Sequence, residues 1–269
     1  MIEDPNSRIA PRVALGSPAI CVMEEVKVLS VLNEKGDLLM KRGLIMDFER
    51  ILQMTTSERN LALLQDEAFV DDVTEFLAIR QLYNAAIKQV RTKLEILNDG
   101  FQVEHCHNPI HHIECRLKSP GSMLEKLRRK GYPIEMQSLR EGILDIAGVR
   151  VVCNYLNDVN LVADLLLSQD DIRLLKKKDF ISNPKPNGYR SLHLIVSVPI
   201  FLAGTTEHIP VEIQIRTIAM DYWASLEHHL KYKTENDVSD SLKCRLKHDA
   251  DLLSAIDADL QDIFCQMNA

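Results

Sequence analysis

Two carboxylates in this sequence would share a metal ion if the strands beside them are neighbours. Asp145 stands just before the apolar run AGVRVVCNYL (147–156), which carries Arg150. In PVEIQIRT (210–217), Glu212, Gln214 and Arg216 alternate with Val211, Ile213 and Ile215, so a strand there turns the three polar side chains to one face. If the two runs are neighbours in a sheet, Asp145 and Glu212 converge. Mg²⁺ prefers oxygen ligands and often takes one or two carboxylates, leaving its other positions to water and phosphates. On spacing alone, the polar row reads first as the solvated face of an amphipathic strand, and Asp145 as a turn cap.

Two further stretches add positive charge and an aromatic ring. ECRLKSPGSMLEKLRRKG gathers Arg116, Lys118, Lys126, Arg128, Arg129 and Lys130 in an otherwise acidic chain. Arg116 and Lys118 share a face if their run is extended. Ser122 and Lys126 share one on the helix that follows, whose N-terminus offers free N–H groups to a phosphate. Such a helix is also commonly a solvated face. In NPKPNGYRSLHLIV (183–196), a Pro/Gly turn leads Tyr189, Arg190 and His193 straight into a strand. A loop that only joins two elements needs no such residues, whereas one that holds a ligand over a sheet does. HCHNPIHHIEC places His105, Cys106, His107, His111, His112 and Cys115 within eleven residues, but without a second ligand pair at zinc-finger spacing. Lys176 to Lys178 form another basic run, and His248-Asp249 resembles the His-Asp pair of metal phosphohydrolases.

The elements that must position these groups alternate. Residues 1–65 form an N-terminal extension of unknown role, in which VKVLSVLNEKGDLLMKRGLI reads as strand, turn, strand. From Glu67 the spacing of Val73, Phe76, Leu77, Ile87, Val90, Leu94 and Leu97 predicts a helix ending near Gly100. A basic helix follows, capped by Ser119 or Ser122, with Pro120 in its first turn and Gly131 at its stop. Strands are predicted over 147–156, 190–198 and 210–217. Asp158 is expected to cap a helix between the first two; Trp223, Leu226 and Leu230 mark one face of a helix after the third. A C-terminal stripe of Leu242, Leu246, Leu253, Ile256, Leu260 and Ile263 suits either an oligomer helix or packing back on the domain. The fold class is mixed α/β, a small sheet flanked by helices.

Composition narrows the class further. The chain has 269 residues with 32 basic and 39 acidic side chains, a net charge of −7, which does not mark a general binder of nucleic acid or anionic membrane. No apolar run approaches the roughly 20 residues of a membrane helix. Six scattered cysteines without a CxxC pair suit reduced thiols, so a cytoplasmic location is expected.

The order HNPIHHIECRLKS, DIAGVRVVC, KPNGYRSLHLIV, VEIQIRTIAMDYWASLEH resembles the small alarmone synthetases, single-domain members of the RelA/SpoT family, over about Tyr83 to Lys233. The resemblance implies a nucleotidyltransferase-like mixed sheet in a domain spanning 66–269. It implies transfer of pyrophosphate from ATP to the 3′-hydroxyl of GDP or GTP, with AMP released. It further implies that Asp145 and Glu212 bind Mg²⁺, with Glu212 also a candidate base. Arg116, Lys118, Ser122, Lys126 and Arg150 would hold ATP; Tyr189 would stack on guanine, with Arg190, His193, Gln214 and, less directly, Asp221 around the acceptor. A homotetramer using the C-terminal helix is expected, with an allosteric nucleotide or RNA as a further partner. The His-Asp dyad falls downstream in a helix, so synthesis without hydrolysis is expected. Two other readings fit the same frame, an adenine-nucleotide pyrophosphokinase and a catalytically silent nucleotide or RNA sensor.

Overall fold

A computed structural model describes residues 67–104, 107–233 and 239–268. The expected strand–turn–strand over 26–45 and the cluster members His105 and Cys106 lie outside the described residues. From Glu75 onward the chain belongs to one structural unit. Its elements are α1 (Glu67–Glu104), β1 (Ile110–Leu117), α2 (Pro120–Lys130), α3 (Met136–Gly142), β2 (Ala147–Cys153), α4 (Leu156–Leu167), β3 (Arg173–Asp179), β4 (Leu192–Phe201), β5 (Thr206–Thr217), α5 (Ile218–Lys233) and α6 (Asp240–Met267). No helix among the described residues is long and apolar enough to cross a membrane.

Local chemistry explains most boundaries. Ser119 caps α2, its hydroxyl accepting from the Ser122 N–H, and Pro120 takes the first position, where a missing N–H costs nothing. Gly131 ends α2 at φ +70°, its N–H donating to the Arg128 carbonyl. The helix after β2 starts two residues before the expected cap. Asp158 lies in its first turn, where the carboxylate accepts from the Tyr155 N–H at 2.9 Å. α1 runs through Gly100 to Glu104, because one glycine costs only about 1 kcal/mol in a helix.

The five strands form a mixed sheet in the order β1-β2-β5-β4-β3, with β2 and β5 parallel and the other pairs antiparallel. Alternation divides the sheet into two faces. Val149, Val151, Leu192, Leu194, Val196, Val211, Ile213 and Ile215 are buried on one, against α4 and α5. Fully burying each such side chain contributes roughly 1.5–3 kcal/mol. Gly148, Arg150, His193, Glu212 and Gln214 point to the other face, which the helices leave open.

The C-terminal stripe divides. Leu246 and Leu253 pack on a cluster of Trp223, Ala224 and Ala250, and the Trp223 indole donates to the Leu246 carbonyl at 2.9 Å. Farther along α6, Phe264 stacks on Tyr155 at 4.2 Å, and the Thr217 hydroxyl donates to buried Asp257. Leu252, Ile256, Leu260 and Ile263 stay about half exposed. The expected face of α5 divides as well. Trp223 is buried with Met220 and Ala224, whereas Leu226 and Leu230 are exposed because the helix buries the side turned to α6.

One glycine is dictated by close approach. Gly188 has φ +91°, and a Cβ there would lie 2.6 Å from the Ala250 Cβ. Gly188→Ala is expected to destabilise the protein by about 1–3 kcal/mol. Gly100→Ala, where an added Cβ meets nothing within 4 Å, should be neutral or stabilising. Urea-unfolding midpoints of the two variants check the contrast.

Candidate active site

The open face carries rows of polar side chains fixed by strand register. Glu114, Arg150, Gln214, His193 and Lys178 pair successively across all five strands. In the next row Arg116 pairs with Gly148, and Gly148 with Glu212. Gly148 has no side chain, so the middle of that row is vacant and becomes a floor. Arg116, Lys118, Asp145, Arg150, Glu212 and Gln214 surround the resulting cleft, which encloses about 730 Å³ of space open to solvent.

Asp145 occupies the turn before β2. Its Oδ2 receives the Lys118 ammonium at 3.2 Å and the Lys126 ammonium at 2.5 Å. Burial opposes ionisation of Asp145, but the two lysines outweigh it and hold the carboxyl below its ordinary range. Glu212 is treated alike. Burial and the neighbouring Asp145 charge push its pKa up, while His193 Nδ1 at 3.5 Å and the Gln214 amide at 3.0 Å bring it down, for a net lowering. Both carboxylates are therefore charged at neutral pH within one cleft.

A connected polar chain extends from Glu212. His193 Nε2 lies 2.8 Å from the Tyr189 hydroxyl. Arg216 donates to that hydroxyl and to the Gln214 amide oxygen, both at 2.8 Å, and to Asp221 Oδ1 at 3.0 Å. Arg150 approaches the same Asp221 oxygen at 3.4 Å and reaches Glu114 at 3.0 Å. Lys185 Nζ stands 4.4 Å from the centre of the Tyr189 ring and 4.8 Å from that of Phe180. Three buried polar atoms here have no hydrogen-bond partner: Asp145 Oδ1, Arg150 Nε and Arg216 Nε. Buried atoms of this kind are normally satisfied, so the unsatisfied Asp145 acceptor and Arg150 donor on the cleft lining fit a cation and an anionic ligand.

The structure brings some of the expected site residues together and places others apart. Asp145, Glu212, Arg116, Lys118, Lys126, Arg150 and Gln214 come together at the cleft, while His193, Tyr189 and Asp221 join through the polar chain. Ser122 sits half-buried in the first turn of α2, its hydroxyl accepting from that of Ser119. Arg190 is turned to α6 and not to Glu212: its guanidinium donates to the Gly188 and Ala250 carbonyls and to Asp251. Arg216, 5% exposed and central to the polar chain, is placed on this face by its alternation with Ile213 and Ile215, but the sequence gives it no role. Lys185 had no signal beyond its place in a Pro/Gly loop. His107 of the His/Cys cluster pairs with Asp158 at 2.9 Å, and no three His, Cys, Asp or Glu side chains among the described residues group as metal ligands.

These features define a mixed α/β domain with a cleft suited to anionic ligands and a cation. Residues 115–237 match the model of the region found in RelA / SpoT proteins. The chain is 46% identical over 176 residues to the GTP pyrophosphokinase YwaC of Bacillus subtilis, covering 65% of this chain and 84% of that one. It is 35% identical over 182 residues to the GTP pyrophosphokinase YjbM of the same organism, covering 67% and 84%. The crystal structure of small alarmone synthetase 1 from Bacillus subtilis, bound to its product pppGpp, superimposes with a TM-score of 0.68 at 32% identity, covering 73% of this chain and all of that one. The chain belongs to the RelA/SpoT family.

The lowered carboxyls set a pH dependence. A group whose folded pKa is depressed stabilises the fold above its unfolded pKa and loses that contribution as pH falls through the folded value. The ordinary values are 3.8 for Asp145 and 4.5 for Glu212, so the loss begins there and continues below. Urea midpoints measured from pH 6 to pH 3 should fall less steeply in Asp145→Asn than in the unaltered protein. Equal slopes would show that the Lys118–Asp145–Lys126 contact does not hold the carboxyl down.

Proposed function

We propose that this protein transfers pyrophosphate from ATP to the 3′-hydroxyl of GDP or GTP, releasing AMP and forming guanosine tetra- or pentaphosphate. The reading rests above all on the pair of ionised carboxylates, Asp145 and Glu212, in one cleft ringed by Arg and Lys. The related GTP pyrophosphokinases and the pppGpp-bound synthetase support it.

The ATP phosphates would lie against Arg116, Lys118, Lys126 and Arg150, with Ser122 at the N-terminal turn of α2. The orphaned Asp145 Oδ1 and the charged Glu212 suit Mg²⁺, which would supply positive charge for the transferring phosphates. Tyr189 would stack on the guanine, its ring fixed through its hydroxyl by Arg216 and His193. Gln214 and Asp221 complete the acceptor side. Glu212, ionised beside His193, would accept the 3′-hydroxyl proton as that oxygen attacks the β-phosphorus of ATP; the bond from the β-phosphorus to the bridging oxygen breaks, and AMP leaves with that oxygen. Aligning the two reactants would provide much of the rate gain, and the cationic ring would offset charge growing on the leaving AMP.

The synthetase domain is assigned to 66–269, acting in the cytoplasm without hydrolase activity; His248 and Asp249 are exposed on α6. The half-exposed ridge of Leu252, Ile256, Leu260 and Ile263 supports a homotetramer. Incubation with ATP and GDP or GTP, with products identified by mass, should give AMP and guanosine tetra- or pentaphosphate only when Mg²⁺ is present. Asp145→Asn and Glu212→Gln should each lower turnover by about a thousandfold or more without unfolding. Pyrophosphorylated adenosine, or no product with any acceptor, would overturn the reading.

A further inference from the structure

The loop that presents Tyr189 is held from two sides: His193 and Arg216 of the sheet hold the tyrosine hydroxyl, and the helices hold the backbone. Its turn closes on itself: the Gly188 N–H donates to the Lys185 carbonyl at 2.8 Å, and the Lys185 N–H to the Tyr189 carbonyl at 3.1 Å. Asn187 ties it to α5 through Glu227 at 3.0 Å. At Gly188 the backbone lies directly on α6, where a Cβ would fall 2.6 Å from that of Ala250. The Tyr189 side chain packs on the Trp223, Ala224 and Ala250 cluster, with Leu246 and Leu253 of α6 beside it.

Arg190 spans this seam. Its Nη1 donates to the Gly188 carbonyl at 3.1 Å and the Ala250 carbonyl at 3.3 Å, and its Nη2 to Asp251 Oδ1 at 3.1 Å. Lys247 occupies the other Asp251 oxygen at 2.7 Å. A guanidinium so engaged joins the backbone of the loop to the backbone and a carboxylate of α6. Only Arg has the planar fork for all three acceptors at once. Asp251 lies beyond residue 237, where the match to the family model ends.

We propose that Arg190 and Asp251 form a latch through which α6 sets the position of Tyr189, making Arg190 a positioning residue for the acceptor base and not a ligand of the acceptor phosphates. The inference rests on the acceptor role given to Tyr189 above. It changes what Arg190 is for: the C-terminal helix becomes part of the acceptor site without touching the nucleotide.

Asp251→Ala is the informative variant, because Asp251 lies at the surface and stands outside the cleft. It should raise KM for GDP and for GTP by the same factor, about three- to tenfold, with KM for ATP and kcat unchanged. Asp251→Glu should restore the acceptor KM. Adding Asp251→Ala to Arg190→Gln should cost little more than Arg190→Gln alone, since both break one contact. If Arg190 held phosphates instead, Asp251→Ala would leave acceptor KM unchanged or lower it, and Arg190→Gln would affect GDP and GTP unequally. Amide hydrogen exchange gives a readout independent of turnover: peptides covering 183–190 should exchange faster in Asp251→Ala and return to normal in Asp251→Glu. Unchanged exchange together with unchanged KM would overturn the latch. Absence of product from the unaltered protein would overturn the proposed function instead, and exchange would still decide the latch.

Discussion

The site depends on keeping two carboxylates ionised beside each other. Burial and mutual repulsion both favour protonation of Glu212, and burial favours it at Asp145. Each is offset by its own partners, Lys118 and Lys126 for Asp145 and His193 with Gln214 for Glu212. Those partners come from different elements: Lys118 follows β1, Lys126 sits on α2, His193 on β4 and Gln214 on β5. The fold can therefore be seen as the means of delivering four polar side chains to two acids. A cation between the acids would relieve their repulsion further, while the basic groups would turn to the phosphates.

The parallel pairing of β2 with β5 does most of the positioning. It places Gly148 opposite Glu212, and the missing side chain leaves the floor on which a ligand can rest. It also places Arg150 opposite Gln214, so donor chemistry continues along the next row. Across β5 and β4 the same register brings His193 next to Gln214 and within reach of Glu212. A slip of β5 by one residue would turn Glu212 and Gln214 into the apolar face, where α4 and α5 pack. Hydrophobic burial on one side of the sheet thus enforces the chemistry on the other.

Much of this was legible in the sequence. Strict alternation in PVEIQIRT identified both faces of β5, and Ser119, Pro120 and Gly131 marked α2 from cap to stop. What escaped was set by pairing. β3 is an edge strand, and its Arg173–Asp179 run is almost wholly exposed, so its lysines carry no period and read as surface. It is a strand because β4 supplies its hydrogen bonds. The placement of Arg190 escaped for a related reason. Position in sequence put it beside Tyr189 and suggested a shared ligand, whereas its guanidinium joins the neighbouring Gly188 carbonyl to Ala250 and Asp251, sixty residues on in α6. Arg216 shows the converse: its side of the strand was evident, and only its partners gave it a role.

The most direct test of a shared cation site is binding of Mn²⁺, as a spectroscopic substitute for Mg²⁺, in the presence of a non-hydrolysable ATP analogue. Electron paramagnetic resonance reports the bound ion without any need for turnover. Tight binding in the unaltered protein, weakened in both Asp145→Asn and Glu212→Gln, is the predicted result. Binding left intact when either carboxylate is neutralised would contradict a site built from the pair.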